Sequence, residues 1–75
     1  MLYAEIVIAE KLDTHWKDWF EGMDIQATVA GGTSLQGMLA DQSAVYGMMT
    51  RIASLGLTLI TVTVRDQNHY RRDGE

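Results

Sequence analysis

Four segments of the chain alternate between apolar and polar residues with the period of two that is typical of half-buried β-strands. The alternating segments are 3–9, 23–29, 34–39 and 57–64. Gly31 and Gly32 separate the second segment from the third. Because both central residues of a type I′ turn have positive φ angles, this Gly-Gly pair predicts a tight hairpin between two strands.

One long segment has the period of an α-helix instead. Asp41 precedes it and can accept hydrogen bonds from the free backbone amides of the first turn. Gly56 follows it, and Leu57 is placed to make the hydrophobic contact of a Schellman cap. Seven apolar residues between these ends form one stripe: Ala44, Val45, Met48, Met49, Ile52, Ala53 and Leu55. This pattern predicts an amphipathic helix that packs against a sheet.

A second, shorter helix is predicted between residues 13 and 22. Three aromatic residues in it have the i, i+3, i+4 spacing of one helical face: Trp16, Trp19 and Phe20. Asp13 or Thr14 can cap its start, and Gly22 lies where such a helix would stop. We expect the three rings to anchor this helix on the sheet. The alternative is that residues 13–22 form a loop.

The predicted order of elements is strand, short helix, strand, strand, helix, strand. This order is that of a ferredoxin-like βαββαβ sandwich, an α+β fold in which two helices cover one face of a four-stranded antiparallel sheet. With a loop in place of the first helix, the alternative is a βββαβ fold. We predict one domain, residues 1–64. Residues 65–75 have no period and few apolar groups, and are predicted to form a flexible C-terminal tail.

The face of the sheet that no helix covers is the candidate interface. Its residues are Tyr3, Glu5, Val7, Gln36, Met38, Thr61 and Thr63. A mixture of apolar and polar groups is common where a sheet meets a partner. A chain of 75 residues without cysteine has a small core and neither disulfides nor a thiolate zinc site to stabilise it. We therefore expect a homodimer formed through this face, with an unidentified protein as a further possible partner.

The charge is concentrated at the N-terminal end of the chain. Residues 1–24 contain six acids and two lysines, so their net charge equals the −4 of the whole chain. This sign disfavours binding to nucleic acid. No apolar run approaches the roughly 20 residues of a membrane span, and no basic region followed by an apolar block marks a signal peptide. The sequence predicts a soluble cytoplasmic protein with no nucleic-acid or membrane partner.

No segment has the residue pattern of a catalytic, cofactor or metal site. Gly31 and Gly32 join two strands, whereas a phosphate-binding glycine loop leads into a helix. His15 and His69 lack the spacing of metal ligands, and the acids lack the order of a calcium loop. We expect no catalytic residue, no cofactor and no metal. The one candidate base is Glu5, the carboxylate that dimerisation would bury.

Residues 39–57 resemble the corresponding part of a family of small, uncharacterised bacterial proteins. The residues that carry the resemblance are Asp41, Gln42, Ala44, Gly47, Arg51, Ile52, Leu55, Gly56 and Leu57, followed by Val62. The tryptophan-rich segment 15–22 is also similar to that family, and the resemblance extends over residues 3–64. It implies no activity. Tyr46 stands where a histidine is more usual in the family, so no role of that side chain carries over.

Two hypotheses about function follow from these patterns. The first is a non-enzymatic interaction or structural module that self-associates through the uncovered face. The second is a small-molecule-binding domain or an enzyme of the dimeric α+β barrel type, because ferredoxin-like sheets support both kinds of function. The strands offer such a barrel few polar groups beyond Glu5, Gln26 and Gln36, which favours the first hypothesis.

Overall fold

A computed structural model describes residues 1–20 and 22–66. The elements, in chain order, are β1 (Leu2–Ile8), a 3-10 helix (Thr14–Trp19), β2 (Asp24–Ala27), β3 (Thr33–Leu39), α1 (Gln42–Ser54) and β4 (Leu59–Asp66). The strands form one sheet in the order β2-β3-β1-β4, and all neighbouring strands are antiparallel. The fold is therefore α+β. Among the described residues no helix is long and apolar enough to cross a membrane.

The two central strands, β1 and β3, provide the floor of the core. Their pairing register places Ile6 opposite Leu35 on one face of the sheet, and both side chains are fully buried. The segment before β2 and the helix α1 both pack on this face. The buried core consists of Ala4, Ile6, Ile8, Phe20, Met23, Leu35, Leu39, Val45, Met48 and Ile52. The alternation predicted for β1 and β3 is confirmed by this burial.

Both predicted ends of α1 are confirmed. The Asp41 carboxylate accepts a hydrogen bond from the Ala44 amide at 2.9 Å. At the other end Gly56 has a φ of 77°. The Leu57 amide donates to the Ile52 carbonyl at 3.2 Å, and the Gly56 amide donates to the carbonyl three residues earlier at 3.0 Å. These are the two backbone hydrogen bonds of a Schellman motif, so the helix ends where its glycine requires.

The apolar stripe of α1 is buried along its centre and exposed at one margin. Val45, Met48 and Ile52 are buried, and three further stripe residues pack against them: Ala44, Met49 and Leu55. Ala53 is exposed. It lies about 100° round the helix from Ile52, beyond the reach of the sheet.

The prediction of an α-helix between residues 13 and 22 is wrong. Residues Thr14–Trp19 form a 3-10 helix. In a 3-10 helix residues three apart lie on one side, whereas residues four apart, as Trp16 and Phe20 are, do not. Phe20 follows this helix and is fully buried, whereas Trp19 is 53% exposed. Trp16 is partly buried and stacks on Phe20, with ring centroids 6.4 Å apart. Phe20 therefore anchors the segment, and the three rings do not share one buried face.

Gly37 lets the segment before β2 lie close to the sheet. A Cβ atom at this position would be 2.7 Å from the Gly22 carbonyl oxygen and 2.9 Å from the sulfur of Met23. Met23 is fully buried at this contact. A larger residue at position 37 would force the segment away from β3.

The predicted hairpin between β2 and β3 is present, but its turn is longer than a two-residue type I′ turn. Ala27 pairs with Thr33, so residues 28–32 form the loop. Gly31 has a φ of 92°, but the φ of Gly32 is not positive. Gly32 is needed for a different reason, since a Cβ there would collide with the Ile8 carbonyl oxygen. Val29, which continues the alternation in the sequence, lies fully exposed in this loop.

β4 is an edge strand that contributes little to the core. It continues to Asp66, two residues past the predicted domain boundary, and the rest of the predicted tail, 67–75, lies outside the described residues. Within β4 only Val62 is partly buried, while Ile60 is 57% and Val64 is 42% exposed. The pairing of β4 with β1 is irregular between Val7 and Ile8.

The start of β4 is fixed by Glu10. Its carboxylate accepts hydrogen bonds from the Thr58 amide at 2.7 Å and from the Thr58 hydroxyl at 2.8 Å. The Ala9 amide donates to the Thr58 carbonyl at 2.9 Å. The Thr58 amide, followed by the Thr58 hydroxyl, lowers the pKa of Glu10 below its ordinary value. His15 similarly lowers the pKa of Asp13, first through its side chain and then through its backbone amide.

Phe20→Ala should lower the free energy of unfolding by about 3 to 5 kcal/mol, because it removes a fully buried aromatic ring and leaves a cavity. Trp19→Ala should lower it by no more than about 1 kcal/mol, since half of that side chain is already in solvent. Urea unfolding of the two variants measures both values. Equal destabilisation by the two substitutions would contradict the packing of Phe20 described here.

Glu10→Gln should make the free energy of unfolding depend less on pH in the acid range. A carboxylate whose pKa is lowered by folding stabilises the fold above its ordinary pKa of 4.5, and this contribution is lost as the pH falls through the folded-state value. Urea unfolding below about pH 5 should show a weaker dependence on pH in Glu10→Gln than in the wild type. Thr58→Val is the control: it retains the backbone donor, the larger cause, and should retain most of the dependence. Identical profiles for wild type and Glu10→Gln would refute this role.

Candidate interaction surface

The side of the sheet opposite α1, called the open face from here on, has no other element packed on it among residues 1–20 and 22–66. The strand register arranges its side chains in three rows. The rows contain Met38, Tyr3 and Arg65; Asp24, Gln36, Glu5 and Thr63; and Gln26, Ser34, Val7 and Thr61. All seven residues of the candidate interface lie on this face.

Gln36 is the centre of a hydrogen-bond network on the open face. Its side-chain nitrogen lies 3.1 Å from the Ser34 hydroxyl and 3.4 Å from the Gln26 side-chain oxygen. The same nitrogen lies 3.5 Å from the Glu5 carboxylate. The side-chain oxygen of Gln36 accepts a hydrogen bond from the Tyr3 hydroxyl at 3.3 Å. Because an amide nitrogen has two protons, Gln36 shares its donors among three acceptors.

Glu5 lies next to Gln36 on the central strand and accepts hydrogen bonds from two neutral donors. The Ser34 hydroxyl donates to it at 3.3 Å, and Gln36 completes the pair. Glu5 itself is partly buried, and Ser34 is only 6% exposed. Arg65 is on the same face, diagonal to Glu5, because Glu5 pairs with Thr63 two residues earlier in β4. The centre of the open face is therefore polar, with its hydrogen-bonding groups directed at one another.

Apolar side chains border this polar centre. Tyr3 and Met38 are direct cross-strand neighbours in one row, and Met38 is 41% exposed. Val7 lies four residues beyond Tyr3 on β1, opposite Thr61. The open face thus combines accessible apolar groups with a polar network.

Four residues of this surface lie outside the predicted interface: Asp24, Gln26, Ser34 and Arg65. Arg65 was assigned to the tail, although it continues the alternation of Thr61 and Thr63 and pairs with Tyr3. Ser34 belongs to the alternating segment 34–39, shares a face with Gln36 and Met38, and is the most buried polar group of the open face. The period of two along each strand assigns all four to this face.

Arg51 belongs to α1 and lies on the other side of the sheet. Its guanidinium donates to the Trp19 carbonyl oxygen at 2.6 Å. This contact ties α1 to the end of the 3-10 helix. It has no direct connection with the open face.

Comparison with known proteins adds one finding. Residues 3–69 match the model of a family described as Domain of unknown function (DUF8691). No curated protein and no solved structure matches the chain.

Proposed function

The chain belongs to the DUF8691 family, and we propose that it acts as a non-enzymatic interaction module that self-associates through the open face. The observation that carries this proposal is a sheet with its helices on one side only. The other side presents Met38, Val7 and Tyr3 around a polar centre, with no described element covering them.

The polar centre can be buried by a partner at low cost. Burial of a polar group is expensive chiefly when the group loses its hydrogen-bond partner. Tyr3, Ser34 and Gln36 already bond to one another or to Glu5 within the open face, so a partner need not supply new hydrogen bonds for them. The Glu5 charge is the exception, and Arg65 on the same face provides a cation that a second copy could bring close to it.

The dimensions of the open face suit a small interface. Three strands of seven or eight residues and the shorter β2, each about 4.8 Å from its neighbour, give a surface of at most roughly 19 Å by 24 Å. Such a surface lies at the lower end of the range for specific protein contacts. Self-association through it should therefore depend on concentration, with a dimer forming at micromolar concentration.

The architecture we propose is a ferredoxin-like sandwich in which the 3-10 helix replaces the first α-helix. The strand order β2-β3-β1-β4 and the antiparallel pairing of all neighbours support this assignment. So does the connection of β3 to β4 through α1, which packs on the same face as the 3-10 segment. In this architecture the open face is the natural docking surface for a second sheet.

The network around Gln36 favours a second candidate function, a small-molecule-binding domain or a dimeric α+β barrel enzyme. Five polar side chains meet at the centre of the open face, and two copies docked face to face would enclose them. Native mass spectrometry of the purified dimer separates the candidates: a mass equal to two chains supports the interaction module, and a retained small molecule supports the binding domain.

Met38→Glu tests self-association through the open face. Sedimentation equilibrium of the wild type at micromolar concentration should give a mass above that of the 8.4 kDa chain. Met38→Glu should lower this mass, because the interface would then bury a new charge with no partner. The far-ultraviolet circular dichroism should not change, since Met38 is already 41% exposed.

Val29→Glu is the matched control, because Val29 is a fully exposed apolar residue in the β2–β3 loop. It should sediment like the wild type. A wild-type chain that is monomeric at every concentration would reject the proposal. So would a Met38→Glu variant that associates as strongly as the wild type.

A further inference from the structure

The outer edge of β4 is long and mainly apolar, and no element in the described part of the chain covers it. β4 has eight residues, more than any other strand, and seven of them are exposed. Its edge position leaves a row of backbone amides and carbonyls with no neighbouring strand on that side among residues 1–20 and 22–66. The opposite edge, β2, has only four residues and begins with an acid, Asp24. Short length and charged side chains are the usual protection of an edge strand against pairing with another chain. β4 is not short, and its charged residues lie only at its C-terminal end.

A groove runs beside this edge, between β4 and α1. Its volume is about 380 Å³, and its walls are mainly apolar. The lining includes Val45 and Met49 from α1 and Val62 and Val64 from β4. Tyr46 forms the rim and is 56% exposed, with its hydroxyl accepting a hydrogen bond from Gln42. A strand added to the β4 edge would lie against this groove.

We propose that a second copy of this chain pairs with β4 through its own β4, so that two sheets join into one of eight strands. The occupant of this edge must provide an extended backbone, apolar side chains toward the groove and small polar ones toward the open face. β4 has this pattern itself, with valines on the groove side and threonines on the open-face side. This pairing is independent of the docking of open faces.

The register of the pairing follows from the irregularity at the start of β4. The ladder with β1 shifts between Val7 and Ile8, which leaves Ile60 without a partner and makes Thr61 the first residue of the regular segment. A two-fold axis at Thr63 pairs the regular segment 61–65 with itself. Val62 then faces Val64 of the second copy on the groove side, and the two Thr63 residues face each other on the opposite side.

The charge distribution favours a second copy at this edge. The net charge of −4 belongs to residues 1–24, whereas β4 carries one base and one acid, Arg65 and Asp66. Two copies therefore meet at a neutral part of an acidic molecule. In the Thr63 register each Arg65 faces Thr61 of the other copy, so no like charges are opposed.

Thr63→Cys provides a direct test, because the chain has no cysteine of its own. Directly paired residues in an antiparallel sheet have Cα atoms about 4.5 to 5.5 Å apart, within the range of a disulfide. Under mild oxidation Thr63→Cys should form a covalent dimer at least about tenfold faster than Thr61→Cys, since preassociation replaces a chance collision. Thr61→Cys is the matched control on the same strand and face, with its two sulfurs offset along the strands by about 13 Å.

Two further substitutions separate this proposal from docking of the open faces. Val64→Lys added to Thr63→Cys should slow the cross-linking to the rate of Thr61→Cys, whereas Met38→Glu should leave it fast. Circular dichroism of Val64→Lys establishes that the variant is folded, as its 42% exposure leads us to expect. Equal cross-linking of Thr63→Cys and Thr61→Cys would overturn the proposed pairing. Fast cross-linking that survives Val64→Lys but not Met38→Glu would assign the contact to the open face instead.

Discussion

In the described part of the chain a single α-helix covers a four-stranded sheet, and this mismatch of widths determines which surfaces of the sheet stay exposed. A sheet of four strands is about 19 Å wide, whereas a helix with its side chains is about 10 Å across. α1 lies across the sheet in contact with β3 and β4, and the segment with Phe20 and Met23 covers the side toward β2. No described element remains to cover the outer edge of β4 or the open face.

The close packing on the covered side compensates in part for the small number of covering elements. Gly37 admits the segment before β2 to within contact of the sheet, and Gly32 admits β1 to the β2–β3 loop. The buried Thr33 hydroxyl accepts from the Leu12 amide at 2.9 Å and donates to the Glu10 carbonyl at 2.7 Å. Polar contacts of this kind fix the connections without adding apolar burial, so the core stays small and association would extend it.

The parts of the fold that depend on local chemistry could be predicted from the sequence. Asp41 as a helix cap and the Gly56 Schellman motif need only neighbouring residues, and both are confirmed. The aromatic spacing could not distinguish an α-helix from a 3-10 helix, because residues three apart, such as Trp16 and Trp19, lie on the same side of either kind of helix. The exposure of Ile60 could not be predicted either, since Ile60 lies where the pairing of β4 with β1 is irregular.

The residues of the open face could be predicted from the same pattern as the strands, because alternate residues of a strand lie on opposite faces of the sheet. Their hydrogen bonds were not, since the partners of Gln36 come from three strands and depend on the register between them. The register in turn depends on the length of the β2–β3 loop, which the sequence led us to expect as a two-residue turn. Local patterns thus identified the surface, and the long-range pairing determined its chemistry.

Amide hydrogen exchange at two protein concentrations is the most direct test of whether a second copy covers the exposed sheet. Exchange at 61–65 in β4 should slow as the concentration rises, because edge amides become hydrogen-bonded in the assembly. Residues 24–27 of β2, the opposite edge, provide the internal comparison and should exchange at the same rate at both concentrations. Exchange in β4 that is independent of concentration would show that its edge stays in solvent, and would contradict the pairing of two copies.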